Sequence, residues 1–513
     1  MSASVCLTVA QGPQQLLLAR AVIASMKALN PGRRHVLLLG GFYAGELANR
    51  LEHSCRLIAG EDGFDSVVSL VRADADLIAG KVNFASYIAE LLTLLDAAGV
   101  TEVAEIIVAR NLHPVNEAVL HAFARAKKIF VGDGLGIIDY NSAHLSPPLL
   151  SSGFVQPDEL RTVLPCAAAA RLFAAHPPVP VPPDDYIEVV DRAEAALEGA
   201  GLLGSVLDFA RDREVVVLLM ANLTEAAYTT SVENELAYFE ESALPWLTPG
   251  MAVWVKGHPR HTMSQGTRLA ERLRELNFDA FHDADADHLP VEVFARRLRV
   301  KLLLSVISSS CVSWKLLSPE TMVVLGTADA IASRWLVTTD YPRRLVKTLY
   351  VQALMAERRL ALPITMSEIE RHAGTLEPAP LVLAPLSKAL DDDSSRLIHA
   401  VVEDSQRAIA AADGTLHDHR HELMKEDDLM LQGILSLPFA LGEKAALIRQ
   451  HLGREAIKAR GAENKKTLQK LQRRHDACAG ELAGMKGSLC WKLLRWLFKL
   501  EAQLRSALRR KAP

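Results

Sequence analysis

The sequence is poor in cysteine and aromatic residues and lacks a long apolar run. Its six cysteines among 513 residues are scattered, without a CxxC pair or a metal-ligand spacing, which argues against a disulfide scaffold or a zinc module. No apolar stretch reaches the roughly 18 residues that a membrane span needs. The first residues also lack the positive segment of a signal peptide. We therefore expect a cytoplasmic protein with reduced, mostly buried thiols.

Charge is unevenly distributed along the chain. The formal net charge is only −4, yet residues 454–513 contain 16 Lys and Arg against 5 Asp and Glu. The rest of the chain contains 41 basic and 56 acidic residues, so an acidic body precedes a basic tail. Half of the residues are hydrophobic, mainly Leu, Ala and Val, a composition that suits helices packed on buried parallel strands.

The first two thirds of the chain alternate strand and helix patterns. Short apolar runs such as Val5–Val9 and Val300–Ile307 are separated by stretches with helical spacing. Weaker strands are predicted at 56–58 and 66–71. This alternation predicts an α/β fold with two Rossmann-like domains that face a cleft, at 1–173 and 186–345. The proline-rich segment 174–185 is predicted to be an extended linker between them.

Strand patterns stop after about residue 345. Residues 346–444 are predicted to form a helical region, and 445–513 a long helix with a basic amphipathic tail. In residues 486–511, Trp and Leu alternate with Lys and Arg, which indicates a helix that lies on a membrane surface. The alternatives are a helix packed on the body, or a coiled-coil end that forms a homodimer. Nucleic-acid binding is not expected, because no recognised binding module accompanies the charge.

The segment Lys256–Pro259 ends a predicted strand with cationic and titratable groups. In parallel α/β sheets ligands bind at strand ends, so His258 and Lys256 suit an anionic group such as a phosphate. Gly257 is interpreted as the residue that frees the backbone to turn, and Pro259 as the residue that ends the strand. The alternative is a simple turn with an exposed histidine.

Two further polar segments follow strands, and one acidic segment does not fit a metal site. Asp133 lies between glycines after a strand of the first domain, and Ser308–Ser310 follow the strongest strand of the second. The serines can cap the next helix or, with its first amides, bind a phosphate. The alternating aspartates of 282–288 lack the glycine and terminal Glu of a calcium loop. They are expected to form a solvated acidic turn.

In this order the motifs resemble those of bacterial sialyltransferases with the two-domain GT-B fold, especially the polysialyltransferases and lipooligosaccharide sialyltransferases. The family's acidic-acidic-Gly, His-Pro and Ser-Ser motifs correspond to Gly132–Gly134, His258–Pro259 and Ser308–Ser310. The segments Gly12–Leu17 and Asn222–Glu225 are similar to further family segments. One departure is Gly132 at the first acidic position, which leaves a single carboxylate.

The resemblance implies an inverting, metal-independent transferase without a cofactor. Its donor would be CMP-activated sialic acid or a related nonulosonic acid, and its acceptor a glycan, a lipid-linked sugar or a protein in bacterial surface polysaccharide synthesis. Asp133 would be the general base, and His258 would stabilise the leaving phosphate. The implied donor-binding set is Asn222, Lys256, Pro259, Ser308, Ser309 and Ser310. The alternatives are a Kdo or other sugar transferase, a non-catalytic nucleotide- or glycan-binding protein, and a scaffold assembled through the C-terminal helices.

Overall fold

A computed structural model divides the chain into two compact units, Met1–Ala446 and Leu447–Pro513. The described residues are 4–27, 32–41, 45–60, 63–109, 114–131, 158–163, 179–224, 228–259, 264–306, 308–327, 329–337, 381–383, 428–453, 466 and 469–470. The first unit contains two parallel sheets. Residues 5–180 contribute the strands of the first sheet and residues 215–383 those of the second, and these two parts are called the first and second halves below.

The first sheet has seven strands in the order β3-β2-β1-β4-β5-β6-β7, with every pair parallel. Its central strands are buried on both faces, which explains their continuous apolar runs. The strands are β1 Val5–Ala10, β2 Arg34–Leu39, β3 Ser66–Ser69, β4 Val103–Val108, β5 Lys127–Phe130, β6 Glu159–Thr162 and β7 Val179–Pro180. The helices are α1 Pro13–Lys27, α2 Gly45–Ala59, α3 Val71–Ile78, α4 Phe84–Ala97 and α5 Pro114–Ala122.

The second sheet has six parallel strands in the order β10-β9-β8-β11-β12-β13. Its strands are β8 Val215–Leu219, β9 Ala252–Lys256, β10 Asp279–His282, β11 Val300–Ser305, β12 Met322–Leu325 and β13 Leu381–Leu383. The helices are α6 Pro183–Gly199, α7 Gly204–Ala210, α8 Val232–Ala243, α9 Ser264–Glu275, α10 Ser310–Leu317 and α11 Asp329–Trp335, with 3₁₀ turns at Leu244–Trp246 and Val291–Phe294. A later helix, α12 Asp428–Leu435, packs against α5 of the first half.

In each sheet the strand order reverses once, between β1 and β4 and between β8 and β11. Parallel sheets with this reversal are doubly wound, and the predicted pair of Rossmann-like sheets is confirmed. The expected strand at 56–58 is wrong, since those residues belong to α2, whose helical periodicity buries Leu51, Cys55 and Ile58 on one face. The expectation of no strand after 345 is also wrong, because β13 extends the second sheet.

The predicted linker 174–185 has regular structure in its described part. Val179–Pro180 pairs with β6 at the sheet edge, a position where proline's missing amide is tolerated. Pro182 precedes α6, which begins with Pro183, so the fixed backbone angle of that proline starts a helix. Residues 174–178 lie outside the described ranges.

Helix α6 connects the two halves. It packs against α1 and α2 of the first half and against the 3₁₀ turn Val291–Phe294 of the second. The Arg297 guanidinium lies 2.5 Å from both Glu194 Oε1 and Glu198 Oε2 of α6. Gln14 Nε2 of α1 donates to Glu292 Oε1 across the junction at 3.1 Å, and Arg50 of α2 pairs with Asp285. These contacts place the first turn of α1 and the middle of α2 against the segment between β10 and β11.

In the second unit, residues 447–453, 466, 469 and 470 are helical. The rest of the predicted long helix and the whole segment 486–511 lie outside the described ranges, so the membrane-surface and homodimer hypotheses stay predictions. Among the helices that the structure describes, none is long and apolar enough to cross a membrane.

Candidate active site

The predicted donor-side residues follow three neighbouring strands of the second sheet. Asn222 comes after β8, His258 and Pro259 come after β9, and Ser308–Ser310 come after β11. Because β9, β8 and β11 are adjacent and parallel, these segments leave the sheet at the same edge. The strand order reverses between β8 and β11, the place where doubly wound sheets open a ligand crevice. Asp133 lies outside the described residues, so its role as base stays a prediction.

The serine segment forms the start of helix α10. The helix begins at Ser310, and the Ser309 side chain makes no capping hydrogen bond. Ser308 Oγ instead accepts a hydrogen bond from the Ser310 amide at 3.2 Å. All three serines are half-buried. The positive end of the α10 dipole and the half-buried hydroxyls therefore lie together at the reversal point, as phosphate binding requires.

Helix α8 stabilises the loop that carries Asn222. Glu235 of this helix is fully buried, and its Oε2 accepts hydrogen bonds from the Thr224 amide at 2.6 Å and from the Thr224 hydroxyl at 2.5 Å. A buried carboxylate needs such donors to offset the loss of water. Glu235 thereby fixes the loop two residues beyond Asn222.

Lys256 is buried at the end of β9, with 5% of its surface exposed. Its Nζ donates to the carbonyl oxygen of Asp287 at 2.6 Å and to that of Gly257 at 3.1 Å. Burial lowers the pKa of Lys256 to about 8, against the opposing charges of Asp287, Glu292 and Asp283. These hydrogen bonds make Lys256 a support of the loop after β10, a role that the strand-end motif alone did not indicate.

The 282–288 segment is not the solvated turn that its aspartates suggested. Asp287 and His288 are 8% and 6% exposed. Asp287 Oδ1 accepts a hydrogen bond from the Gly257 amide at 2.7 Å, and Oδ2 lies 2.9 Å from His282 Nε2. The segment folds back onto the end of β9 because this carboxylate has partners there. Asp285, by contrast, is exposed, as expected.

A buried polar cluster joins the halves beside the serines. Glu292, 1% exposed, accepts from the Ser313 hydroxyl at 2.5 Å and from Gln14 Nε2 at 3.1 Å. Burial, and next the charge of Glu292, raise the pKa of the neighbouring Tyr186 phenol well above its usual value. The sequence signal for Glu292 is a single carboxylate within the apolar run 289–294, and it belongs to none of the predicted site segments.

The first sheet carries a small, mostly apolar depression at the carboxyl ends of β1 and β2. Its walls include Gln11 after β1 and Gly40–Gly41 after β2. Asp74 is buried beneath it and accepts from the Gly41 amide at 3.0 Å and from Tyr87 Oη at 2.8 Å. These bonds hold the glycine segment in place. Within the described ranges, no group of three or more His, Cys, Asp or Glu side chains is placed to hold a metal ion.

No protein-family model matches the chain, and no curated protein has a matching sequence. Solved structures with some similarity include a 2,6-sialyltransferase of Photobacterium sp. JT-ISH-224, in complex with CMP and lactose. It has 10% identity and a TM-score of 0.40, over 70% of this chain and 77% of that one. A UDP-GlcNAc 2-epimerase of Methanocaldococcus jannaschii has 10% identity and a TM-score of 0.42, over 63% and 83%.

A glycosyltransferase from Rickettsia africae has 12% identity and a TM-score of 0.33, over 83% of this chain and 100% of that one. These structures include enzymes of CMP-linked and UDP-linked sugars, and identities of 10–12% assign neither a donor nor an acceptor to this chain.

Proposed function

We propose that the chain is an inverting, metal-independent glycosyltransferase. Its donor is CMP-activated sialic acid or a related nonulosonic acid, and its acceptor is a glycan, a lipid-linked sugar or a protein. The observation that carries the proposal is the meeting of Asn222, His258–Pro259 and Ser308–Ser310 at one edge of the second sheet, on both sides of its strand reversal. Those are the segments that the resemblance assigns to the donor.

The donor-side residues suit a phosphate leaving group. When the bond between the anomeric carbon and the phosphate oxygen breaks, negative charge develops on that oxygen. His258 would donate a hydrogen bond or a proton to it. The hydroxyls of Ser309 and Ser310, with the first amides of α10, would bind the remaining phosphate oxygens. In this proposal hydrogen-bond donors of the protein stabilise the negative charge of the leaving phosphate, a task that a metal ion performs in other enzymes.

The acceptor side rests on Asp133. Its carboxylate would remove the proton of the acceptor hydroxyl while the oxygen attacks the anomeric carbon from the face opposite the phosphate. The new glycosidic bond forms as the phosphate bond breaks, so the configuration inverts. Placement at the cytoplasmic membrane surface through 486–511 belongs to the same proposal, with dimerisation through the C-terminal helix as its alternative.

The decisive experiment is a donor screen with purified protein. CMP-sialic acid, CMP-pseudaminic acid, CMP-legionaminic acid and CMP-Kdo are each incubated with and without acceptors, and CMP release and transfer are measured. Binding of CMP alone is measured separately. We expect Asp133→Ala and His258→Ala each to lower turnover about 100-fold or more while the protein stays folded. His53→Ala, at an exposed histidine of α2, and Asp279→Ala, at the far end of β10, are the matched controls.

The outcome separates the candidate functions. Turnover of CMP-Kdo alone assigns a Kdo transferase, and CMP binding without release from any donor assigns a non-catalytic binding protein. Wild-type transfer retained in either site variant removes that residue from the mechanism.

A further inference from the structure

The His-Pro turn is held in place by a polar chain that begins on helix α9. Thr267 Oγ1 lies 3.1 Å from His282 Nδ1, and His282 Nε2 lies 2.9 Å from Asp287 Oδ2. Asp287 Oδ1 accepts from the Gly257 amide at 2.7 Å. If Nε2 donates to the carboxylate, Nδ1 of a neutral ring accepts from the threonine hydroxyl, so each polar atom in the chain has a partner. Three elements thereby converge on the residue before His258.

Both peptide groups around Gly257 are fixed. Its amide donates to Asp287, and its carbonyl accepts from Lys256 Nζ. The carbonyl of Lys256 accepts in turn, at 2.9 Å, from the amide of Met220, the residue that follows β8. Because both peptide planes beside Gly257 are held by hydrogen bonds, the Asp287 loop determines the backbone orientation at His258.

Two glycines make room for this chain. A Cβ added at Gly257 would lie 2.6 Å from Asp287 Cγ and 2.8 Å from its Oδ1. A Cβ at Gly266 would lie 2.9 Å from His282 Cε1 and closer still to two other ring atoms. Real Cβ atoms do not approach other atoms so closely. The His282 ring and the Asp287 carboxylate therefore both occupy space that only glycine leaves open.

The paired side chains are buried, with 2% of the His282 side chain and 12% of the Asp287 side chain exposed. A buried carboxylate with two partners is rigid, because losing either bond leaves a charge without compensation. A rigid support suits a group that must meet a leaving-group oxygen within a fraction of an ångström.

We infer that Asp287, oriented by His282 and Thr267, is a positioning residue for His258 that acts through the Gly257 peptide. The inference rests on the proposed function, since it gives His258 its task at the leaving phosphate. Asp287 itself touches main chain and His282, and no substrate contact is assigned to it.

The test is a double-mutant cycle between Asp287→Ala and His258→Ala. On the donor that the wild type uses, Asp287→Ala is expected to lower kcat about 10- to 100-fold, with KM changed less than about threefold. In the His258→Ala background the same change is expected to alter kcat less than about threefold, because the residue it positions is gone. Asp287→Asn, whose amide oxygen still accepts from Gly257, is expected to restore most of the rate.

Equal loss of kcat in both backgrounds, or unchanged kcat in Asp287→Ala, overturns the inference. Asp279→Ala, on the same strand as His282 but at its opposite end, is the control for removing a carboxylate from β10. The inference is also tested independently of any donor by hydrogen exchange. Asp287→Ala should raise exchange of the amides at 257 and 258 more than tenfold, and Asp279→Ala should not. If the wild type turns over no donor, the proposed function fails, and unchanged exchange would separately refute the positioning.

Discussion

The buried side chain of His288 should make the stability of this site depend on pH. It is 6% exposed and follows Asp287 directly. Burial, and next the positive charges of Lys256 and Arg50, lower its pKa from 6.5 to about 4, against the opposing charges of Asp285 and Asp287. The folded protein therefore keeps this imidazole neutral over a range in which the unfolded chain takes up a proton.

The size of the effect follows from linkage. One pH unit of difference in pKa between the folded and unfolded states corresponds to about 1.4 kcal/mol. The contribution of the neutral His288 to the free energy of unfolding is complete above pH 6.5. It is lost as the pH falls, because the unfolded state then binds one more proton than the folded state. Between the two pKa values the loss grows to about 2 kcal/mol at pH 5 and about 3 kcal/mol near pH 4.

The assay compares wild type and His288→Gln by urea unfolding between pH 7.5 and 4.5, with local opening followed by hydrogen exchange at 252–259. Glutamine is polar and does not titrate, so the variant should lose about 2 kcal/mol less than the wild type between pH 7.5 and 5. His53→Gln, at an exposed histidine, should follow the wild type. Parallel pH dependence in wild type and His288→Gln would refute the reasoning.

The other predictions concern glycine packing and the thiols. Gly266→Ala should destabilise the second half by about 1–3 kcal/mol in urea unfolding, because its methyl group overlaps the His282 ring. Gly199→Ala, where an added Cβ meets nothing, should be neutral or slightly stabilising, and equal effects would contradict the packing. Burial raises the pKa of Cys6 to about 12 and also raises that of Cys311, so peptide mapping should find both unlabelled by a thiol reagent until the protein unfolds. Labelling in the native protein would contradict their burial.

The sequence predicted the sheets well because buried parallel strands are continuous apolar runs. β1 and β11 are examples, and both lie within two residues of their predicted bounds. Strand β13 was not predicted because a strand of three residues is too short to show an apolar periodicity. Its partner β12 is distant in the sequence, so the pairing depends on the tertiary fold. The strand prediction at 56–58 was wrong because a stretch of three residues is compatible with both the strand and the helix periodicity of apolar residues. Only the full length of α2 shows the helical periodicity.

The sequence predicted the site residues that directly follow strands. It did not predict those in the loop after β10, which folds back onto the end of β9. Strand order alone brings His258 and Ser308–Ser310 to one edge. Asp287 lies 29 residues beyond His258 in a segment whose composition suggested solvent, and its role depends on a long-range hydrogen bond to Gly257. Composition reports the average environment of a residue type, whereas two specific partners decide whether one carboxylate is buried.

Gly257 shows how one residue type can have two physical reasons. In the sequence it was interpreted as the residue that lets the backbone turn. The structure gives it no left-handed backbone angle, so conformational freedom is not what the position requires. What it requires is space, because any side chain at 257 would displace the carboxylate that binds its own amide. Gly257 and Asp287 therefore depend on each other, although they are distant in the sequence. A substitution at either residue should shift the Gly257 peptide and, through it, the position of His258.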